Sequence, residues 1–379
     1  MQVKLYEKLK NKKEILKNLL DKHIDFSLRE EEILDKWTEY NPKRKDNFSV
    51  LVSDGSLNIR QYLGFYLMVF GGYGYFYDVV SREKDEFFTG DITISVAKKP
   101  EVAKSYLSLL MFLAEVKSIY RLYVLKKPDL IVFDGTLTSR LITPFPRSEW
   151  FIKSDEAEDY TNNIARDIFD SIDKRTVENY EDIYSLSGEV RELIIQSLDS
   201  SKQRLDYIEA IQSKLAYYEF MYLLYKIFNI KDSDVIGVAK TSSGVDIFKA
   251  SVPDIKLFSK YIKTYGYSQV VVQDVQKLKS SFGNIPNDIA NYLSDLNIFS
   301  TYSKYADRRF INLIEFYQHS ERDSVNIEDT IDKLYSISFD GYPFLLKKVD
   351  NEVRITQEDM DFIIRELGLE RAITGREVL

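Results

Sequence analysis

Apolar and polar positions follow several different periods along the chain. Leu5, Leu9, Leu16, Leu19 and Leu20 recur near helical spacing among lysines and glutamates, which predicts a helical arm over residues 1–40, ended by Asn41-Pro42. From Phe48 the texture changes. Residues 48–52, 61–70 (QYLGFYLMVF) and 75–80 are aromatic and β-branched runs. They are separated by Asp54-Gly55 and by Gly71-Gly72-Tyr73-Gly74, which predicts an antiparallel meander with a turn at the glycines. Pro100 opens a helical segment that runs to about Tyr123, apolar on nearly every side from Tyr106 to Val116 and therefore expected to be buried. Residues 129–133 predict a fourth strand and 235–240 a fifth. Residues 155–230 read mostly helical, with a long stretch over about 200–228, and more helices fall between Pro253 and about Leu296. Residues 308–317 and 333–339 look strand-like, and a last helix is expected at 357–366.

This order predicts an α/β fold with a mixed five-stranded sheet. The expected organisation is a helical arm (1–46), the first part of a core (47–150), a helical insertion (151–230) and the second part of the core with a C-terminal helix (231–379). No window reaches ~18 apolar residues free of charge, so no membrane span is expected, and the Lys-rich N-terminus lacks the apolar stretch of a signal peptide. The chain reads as soluble and cytoplasmic.

Composition narrows the chemistry. The 379 residues contain no Cys and two His, His23 and His319. Thiol nucleophiles, zinc fingers and Cys-ligated iron–sulfur clusters are excluded, and a multi-histidine metal site has little room. Metal chemistry would rest on oxygen ligands, which favour Mg²⁺ or Mn²⁺. The net charge of −8 argues against whole-surface binding of nucleic acid but not against a local basic groove.

Three acids stand out. Asp54 and Asp134 each follow a strand run and precede Gly. If the two strands are parallel neighbours, both carboxylates meet at one sheet edge. Glu115 lies in the most apolar part of the long helix, on the row Leu107, Met111, Glu115, Ile119. A charge there is costly unless paired or metal-bound. Three converging carboxylates repel, and divalent cations that relieve the repulsion can activate water for phosphodiester hydrolysis. Each acid also has a plainer reading: Asp-Gly is a common turn, and Glu115 could reach solvent. Exchange of Glu115 for Gln is expected to abolish activity with little loss of stability, since it removes a buried charge.

Asp on the first strand, Glu on the first helix and Asp on the fourth strand is the order of an RNase H-like core. The chain further resembles the NurA nuclease family over about residues 48–356. The resemblance is carried by Ser53-Asp54-Gly55-Ser56, Phe133-Asp134-Gly135-Thr136-Leu137, Glu115 at the helical position, and Gly341-Tyr342-Pro343-Phe344 with the Leu345–Asp350 stretch after it. It implies a Mn²⁺-dependent nuclease, with Mg²⁺ an alternative. The implied activities are 5′→3′ exonuclease on DNA and endonuclease on single strands. It also implies a homodimer that works with a HerA-type hexameric ATPase in DNA end resection and recombinational repair. The metal-site acids would be Asp54, Glu115 and Asp134, with Tyr342 as the tyrosine of the Gly-Tyr-Pro motif. Family members usually carry His eight residues after that tyrosine; here Asp350 stands there. It could ligate a hard cation but cannot act as a neutral imidazole.

Lys240, at the end of the fifth strand, and Arg140, six residues beyond Asp134, are candidate DNA-phosphate contacts or simply solvated cations. The pairs Lys98-Lys99, Lys126-Lys127, Arg308-Arg309 and Lys347-Lys348 could track a phosphate backbone. Parts of the sequence bear on two other functions. A haloacid-dehalogenase-type phosphatase needs an Asp two residues before Asp134, and that position is Val132, so this reading fails. The other is a catalytically weakened NurA-like protein that docks on the ATPase ring.

Overall fold

The computed structural model describes residues 2–23, 30–153, 157–178, 182–274, 282–283, 285–306, 310–318, 326–339 and 341–371. Helices α1 (Gln2–His23) and α2 (Glu30–Leu34) precede a short strand β1 (Trp37–Glu39). Three long strands follow, β2 (Ser49–Tyr62), β3 (Phe65–Asp78) and β4 (Lys84–Ser95). Helix α3 (Pro100–Lys126) crosses to β5 (Leu130–Asp134). Helices α4 (Leu137–Leu141), α5 (Ala157–Glu178), α6 (Gly188–Ser197) and α7 (Leu205–Phe228) lead to β6 (Asp234–Ala239). Then come α8 (Asp254–Tyr261), β7 (Gly266–Ser268), β8 (Val271–Asp274), α9 (Asn287–Ser294), β9 (Asn297–Lys304) and β10 (Asn312–Gln318). The described chain closes with α10 (Ile327–Ser336), β11 (Ser338–Phe339), β12 (Tyr342–Pro343), α11 (Phe344–Val353) and α12 (Gln357–Glu366).

Among the described residues the main sheet has ten strands rather than the five expected. Its order is β1-β7-β9-β10-β6-β5-β2-β3-β4, with β8 paired to β9. The pairs β2–β5 and β5–β6 are parallel, and all others are antiparallel. The expected helical arm stops short of residue 40, because residues 37–39 join the sheet edge as β1. The strand expected at 333–339 is mostly the end of α10.

The glycine run is the sharpest local correction. Gly71, Gly72 and Gly74 lie inside β3 and pair with Ser56, Gly55 and Ser53 of β2; the turn is at Gly64, where φ is +93°. The reason is helix α3. A Cβ on Gly72 would lie 2.2–2.5 Å from backbone atoms of Ala114 and Glu115. Glycine lets the helix backbone settle onto the sheet.

Strand alternation gives the sheet two buried faces. Leu51, Ile131 and Phe133 point toward α3, and behind α3 toward the apolar helix α7. Val50, Val52, Val132, Ile236 and Val238 point the other way, onto Leu345, Leu346 and Val349 of α11 and onto Ile331 and Leu334 of α10. The crossover β2-to-β5 is therefore covered on both sides, as parallel pairing requires. Among the described residues no helix is long and apolar enough to cross a membrane.

Candidate active site

Parallel pairing of β2 with β5 runs from Val50↔Leu130 to Ser53↔Phe133. Asp54 and Asp134 are the next residue on each strand, so neighbouring backbones about 5 Å apart carry the two acids side by side. Both lie two residues beyond a valine, Val52 or Val132, that packs toward α11, and both therefore project on that face. Asp54-Gly55 is not the turn that its sequence predicts, since β2 continues to Tyr62. Gly55 is needed because a Cβ there would lie 2.7 Å from Met111 Cγ on α3. Asp134-Gly135 does end its strand, and Gly135 takes φ +105°.

The Asp54 carboxyl accepts the Gly55 N–H at 2.8 Å. It is pushed up to about 7, first by burial and then by the negative charges of Glu115, Asp134 and Asp350. Asp54 thus senses three acids distant from it in sequence. Asp134 Oδ1 accepts the Tyr342 hydroxyl at 2.8 Å, and Lys240 Nζ lies 3.6 Å from Asp134 Oδ2 and 4.1 Å from the Tyr342 ring centre. Burial and the Asp134 charge hold the Tyr342 phenol far above its usual range. It therefore stays protonated and donates throughout the working pH range.

Glu115 reaches the same region from the opposite face. It is 1% exposed, so the solvent-reaching alternative does not hold. One nitrogen of Arg140, Nη2, donates to both carboxylate oxygens, at 2.7 Å (Oε1) and 2.9 Å (Oε2). Ser53 Oγ lies 3.3 Å from Oε1. Burial pushes the Glu115 carboxyl up, and the Arg140 charge opposes that. Asp350, on α11, pairs with Arg354 one turn along at 2.7 Å.

Arg140 itself requires a correction. It was a candidate for a phosphate contact, yet it is 2% exposed. Its Nη1 donates to Thr136 O and its Nη2 to Asp134 O as well as to Glu115. The guanidinium also lies over Phe133, 4.8 Å from the ring centre. None of this is available to DNA on the surface. Among the basic pairs, Lys126 is engaged by Glu83 and Asp85, while Lys348 lies 4.5 Å from the Tyr75 ring centre, on the helix that carries Asp350. Arg308, Arg309, His319 and the side chain of His23 lie outside the described residues.

One residue of this region was missed from sequence. Glu315 on β10 is 4% exposed and accepts the Thr138 N–H at 2.8 Å, bracing the segment after Asp134. Its signal was the one that marked Glu115: an acid inside an apolar run, NLIEFYQ. Beside it opens a cavity of about 330 Å³ bordered by hydroxyl side chains, among them Thr136, Thr138, Ser242 and Tyr302.

Among the described residues no three His, Cys, Asp or Glu side chains are arranged to enclose an ion. The acids are held by protein donors: Asp134 by Tyr342, Glu115 by Arg140 and Asp350 by Arg354. The donor set nevertheless fits a hard divalent cation. All four are oxygen ligands, and the crowding that raises Asp54 is what a cation would relieve.

The NurA domain model matches residues 48–355. The chain belongs to the NurA domain family. It is 27% identical over 383 residues to a probable DNA double-strand break repair nuclease NurA of Methanocaldococcus jannaschii, covering 98% of this chain and 90% of that one. Two solved structures share the fold. The NurA nuclease from Sulfolobus solfataricus matches with a TM-score of 0.64 and 19% identity over 97% of this chain and 96% of that one. A NurA bound to dAMP and manganese matches with a TM-score of 0.63 and 16% identity over 97% and 99%. The NurA match spans every element that carries the acids, from β2 to α11.

Proposed function

We infer that the chain is a divalent-metal-dependent deoxyribonuclease that hydrolyses DNA phosphodiesters with Mn²⁺, or with Mg²⁺ in its place. The observation that carries this reading is the side-by-side placement of Asp54 and Asp134 where β2 and β5 stop pairing, with the charges of Glu115 and Asp350 felt at Asp54. In this reading Asp54, Glu115 and Asp134 hold the cation, with Asp350 an additional oxygen donor. When bound, the cation would polarise the phosphate and lower the pKa of water. The chain's own residues supply the rest. Tyr342 fixes one oxygen of Asp134 by donating to it. Lys240, half exposed beside Asp134, neutralises phosphate charge as DNA enters. The two valine-bearing strands keep both aspartates on rigid backbone.

By family resemblance the activity is 5′→3′ exonuclease on DNA and endonuclease on single strands. It serves end resection in the cytoplasm, as a homodimer beside a HerA-type hexameric ATPase. The relative named above as a probable DNA double-strand break repair nuclease and the related structure with dAMP and manganese support the DNA-repair nuclease reading; polarity, dimer and ATPase partner rest on the family resemblance alone. The test is degradation of end-labelled DNA in Mn²⁺ by the wild type and by Asp54→Ala and Asp134→Ala, with circular dichroism to verify folding. We expect losses of at least a hundredfold in both folded variants; undiminished cleavage would remove the site.

A second reading draws on Asp350, which replaces the family's His and is tied to Arg354: a weakened nuclease that serves chiefly as a docking partner of the ATPase. Wild-type protein inert on single- and double-stranded DNA with Mn²⁺, Mg²⁺ and Co²⁺ would favour it.

A further inference from the structure

The bond pattern at Glu115 has a consequence for which cation the site accepts. A carboxylate can grip a cation with both oxygens or with one. Ca²⁺ takes six to eight oxygens, readily including a bidentate carboxylate, whereas Mg²⁺ and Mn²⁺ favour six ligands in near-octahedral array. In this chain Arg140 Nη2 lies astride both oxygens of Glu115, at 2.7 and 2.9 Å. It therefore fills the bite in which a bidentate cation would sit. Oε1 has a further donor, Ser53 Oγ. The arginine is not free to swing away. Its Nη1 donates to Thr136 O and its Nη2 also to Asp134 O, its plane rests on Phe133 and Phe112, and it is 2% exposed.

We propose that Arg140 is a positioning residue that restricts Glu115 to ligation by a single oxygen, and thereby makes the site discriminate against Ca²⁺ in favour of Mn²⁺ and Mg²⁺. The inference rests on the reading that Asp54, Glu115 and Asp134 hold a divalent cation. It assigns Arg140 no contact with substrate. Its action is through Glu115 and through the Asp134–Thr136 carbonyls, which fix the turn that aims Asp134. Exchanges of supporting residues of this kind change metal affinity by roughly 10–100-fold.

The experiment is calorimetric titration of metal-free protein with Mn²⁺ and separately with Ca²⁺, in the wild type, Arg140→Gln, Arg140→Lys and Asp54→Asn. The ratio of the two affinities is the readout. Any cost of leaving Glu115 without its cation weighs on both metals and cancels in the ratio. We expect Asp54→Asn to weaken Mn²⁺ binding, and Arg140→Gln to shift the ratio toward Ca²⁺ by about tenfold. Arg140→Lys, which keeps the charge but loses the Nη1 bond to Thr136 O and the stacking that hold the side chain in place, should move the ratio the same way. If Asp54→Asn leaves Mn²⁺ binding untouched, the underlying site reading fails. If it weakens binding while the folded Arg140 variants keep the wild-type ratio, this inference alone fails. A measurement on the unaltered chain guards against misfolding of the variants. With ¹³C-labelled glutamate, the carboxylate infrared bands that shift on Mn²⁺ loading should show the wide splitting of single-oxygen ligation. Narrow, bidentate splitting would overturn the proposal.

Discussion

Glu115 shows how a single side chain changes meaning once its partner is known. Read as a lone buried charge, its exchange for Gln was expected to leave stability almost untouched. The structure reverses this, because Gln would strand Arg140, itself buried, without its counter-charge. Breaking one half of a buried pair typically costs about 3–5 kcal/mol. We expect Glu115→Gln to lower the unfolding free energy by an amount of that order, measured by urea denaturation. Asp54 behaves oppositely. Among the described residues no cation is bonded to it, and it is surrounded by negative charge, so Asp54→Asn removes repulsion. In metal-free protein at pH 8 we expect that variant to melt above the wild type while losing Mn²⁺-dependent cleavage. A lower melting temperature would show that Asp54 has a stabilising partner. Asp54 and Asp134 were legible as candidates because each acid ends a β-rich run before a glycine. Arg140 was misread because nothing local tells a solvated arginine from one stacked on Phe133 beneath the sheet.

At the scale of elements, the glycines of β3 decide where α3 lies. Their cluster looked like a turn, since glycine clusters most often mark turns. Here they clear a path for a helix backbone, and only the helix above them reveals that purpose. The close approach sets how far Glu115 reaches toward Asp54. Gly72→Ala should therefore push α3 outward, because its Cβ would meet backbone rather than a yielding side chain. Overpacking of this kind costs roughly 1–3 kcal/mol. We expect a loss of that order by thermal unfolding, together with a drop in nuclease activity larger than a global stability change explains. The missed β4 has an equally local cause. As the sheet's edge strand it is charged and partly exposed, KDEFFTGDITIS, and such composition is how edges avoid pairing with other chains.

For the whole molecule, the helical layer is tied to the sheet by buried acids as well as by apolar packing. Glu219 of α7 pairs with Lys117 of α3 at 3.0 Å, both essentially unexposed. Glu209, also on α7, accepts the Val96 N–H at the end of β4 at 2.7 Å. Burial pushes Glu209 up to about 7 from its ordinary 4.5. Its folded value therefore lies above the unfolded one, so its contribution to stability is fully present at acid pH and declines as pH rises from about 4.5 to about 7. The total is on the order of 3 kcal/mol. Glu209→Gln should remove that slope: its melting temperature should match or fall below the wild type at pH 5 and exceed it by a few degrees at pH 8. Parallel curves for the two proteins would refute the assignment.

Periodicity alone was enough to place the apolar helices and the alternating or aromatic strands, because burial is written directly into residue type. Helix α3, strands β5 and β6 and helix α12 were all recognisable for that reason. Composition alone excluded thiol chemistry and left little room for a multi-histidine metal site. Tertiary structure decided what depends on partners far away in the chain: that β2 and β5 run side by side, that Arg140 and not solvent faces Glu115, that the charge of Asp350 on α11 is felt at Asp54, and that the sheet, among the described residues, has ten strands. Hydrophobic burial is a property of each residue, whereas the charge and hydrogen-bond balance of a site depends on neighbours that only the folded chain brings together.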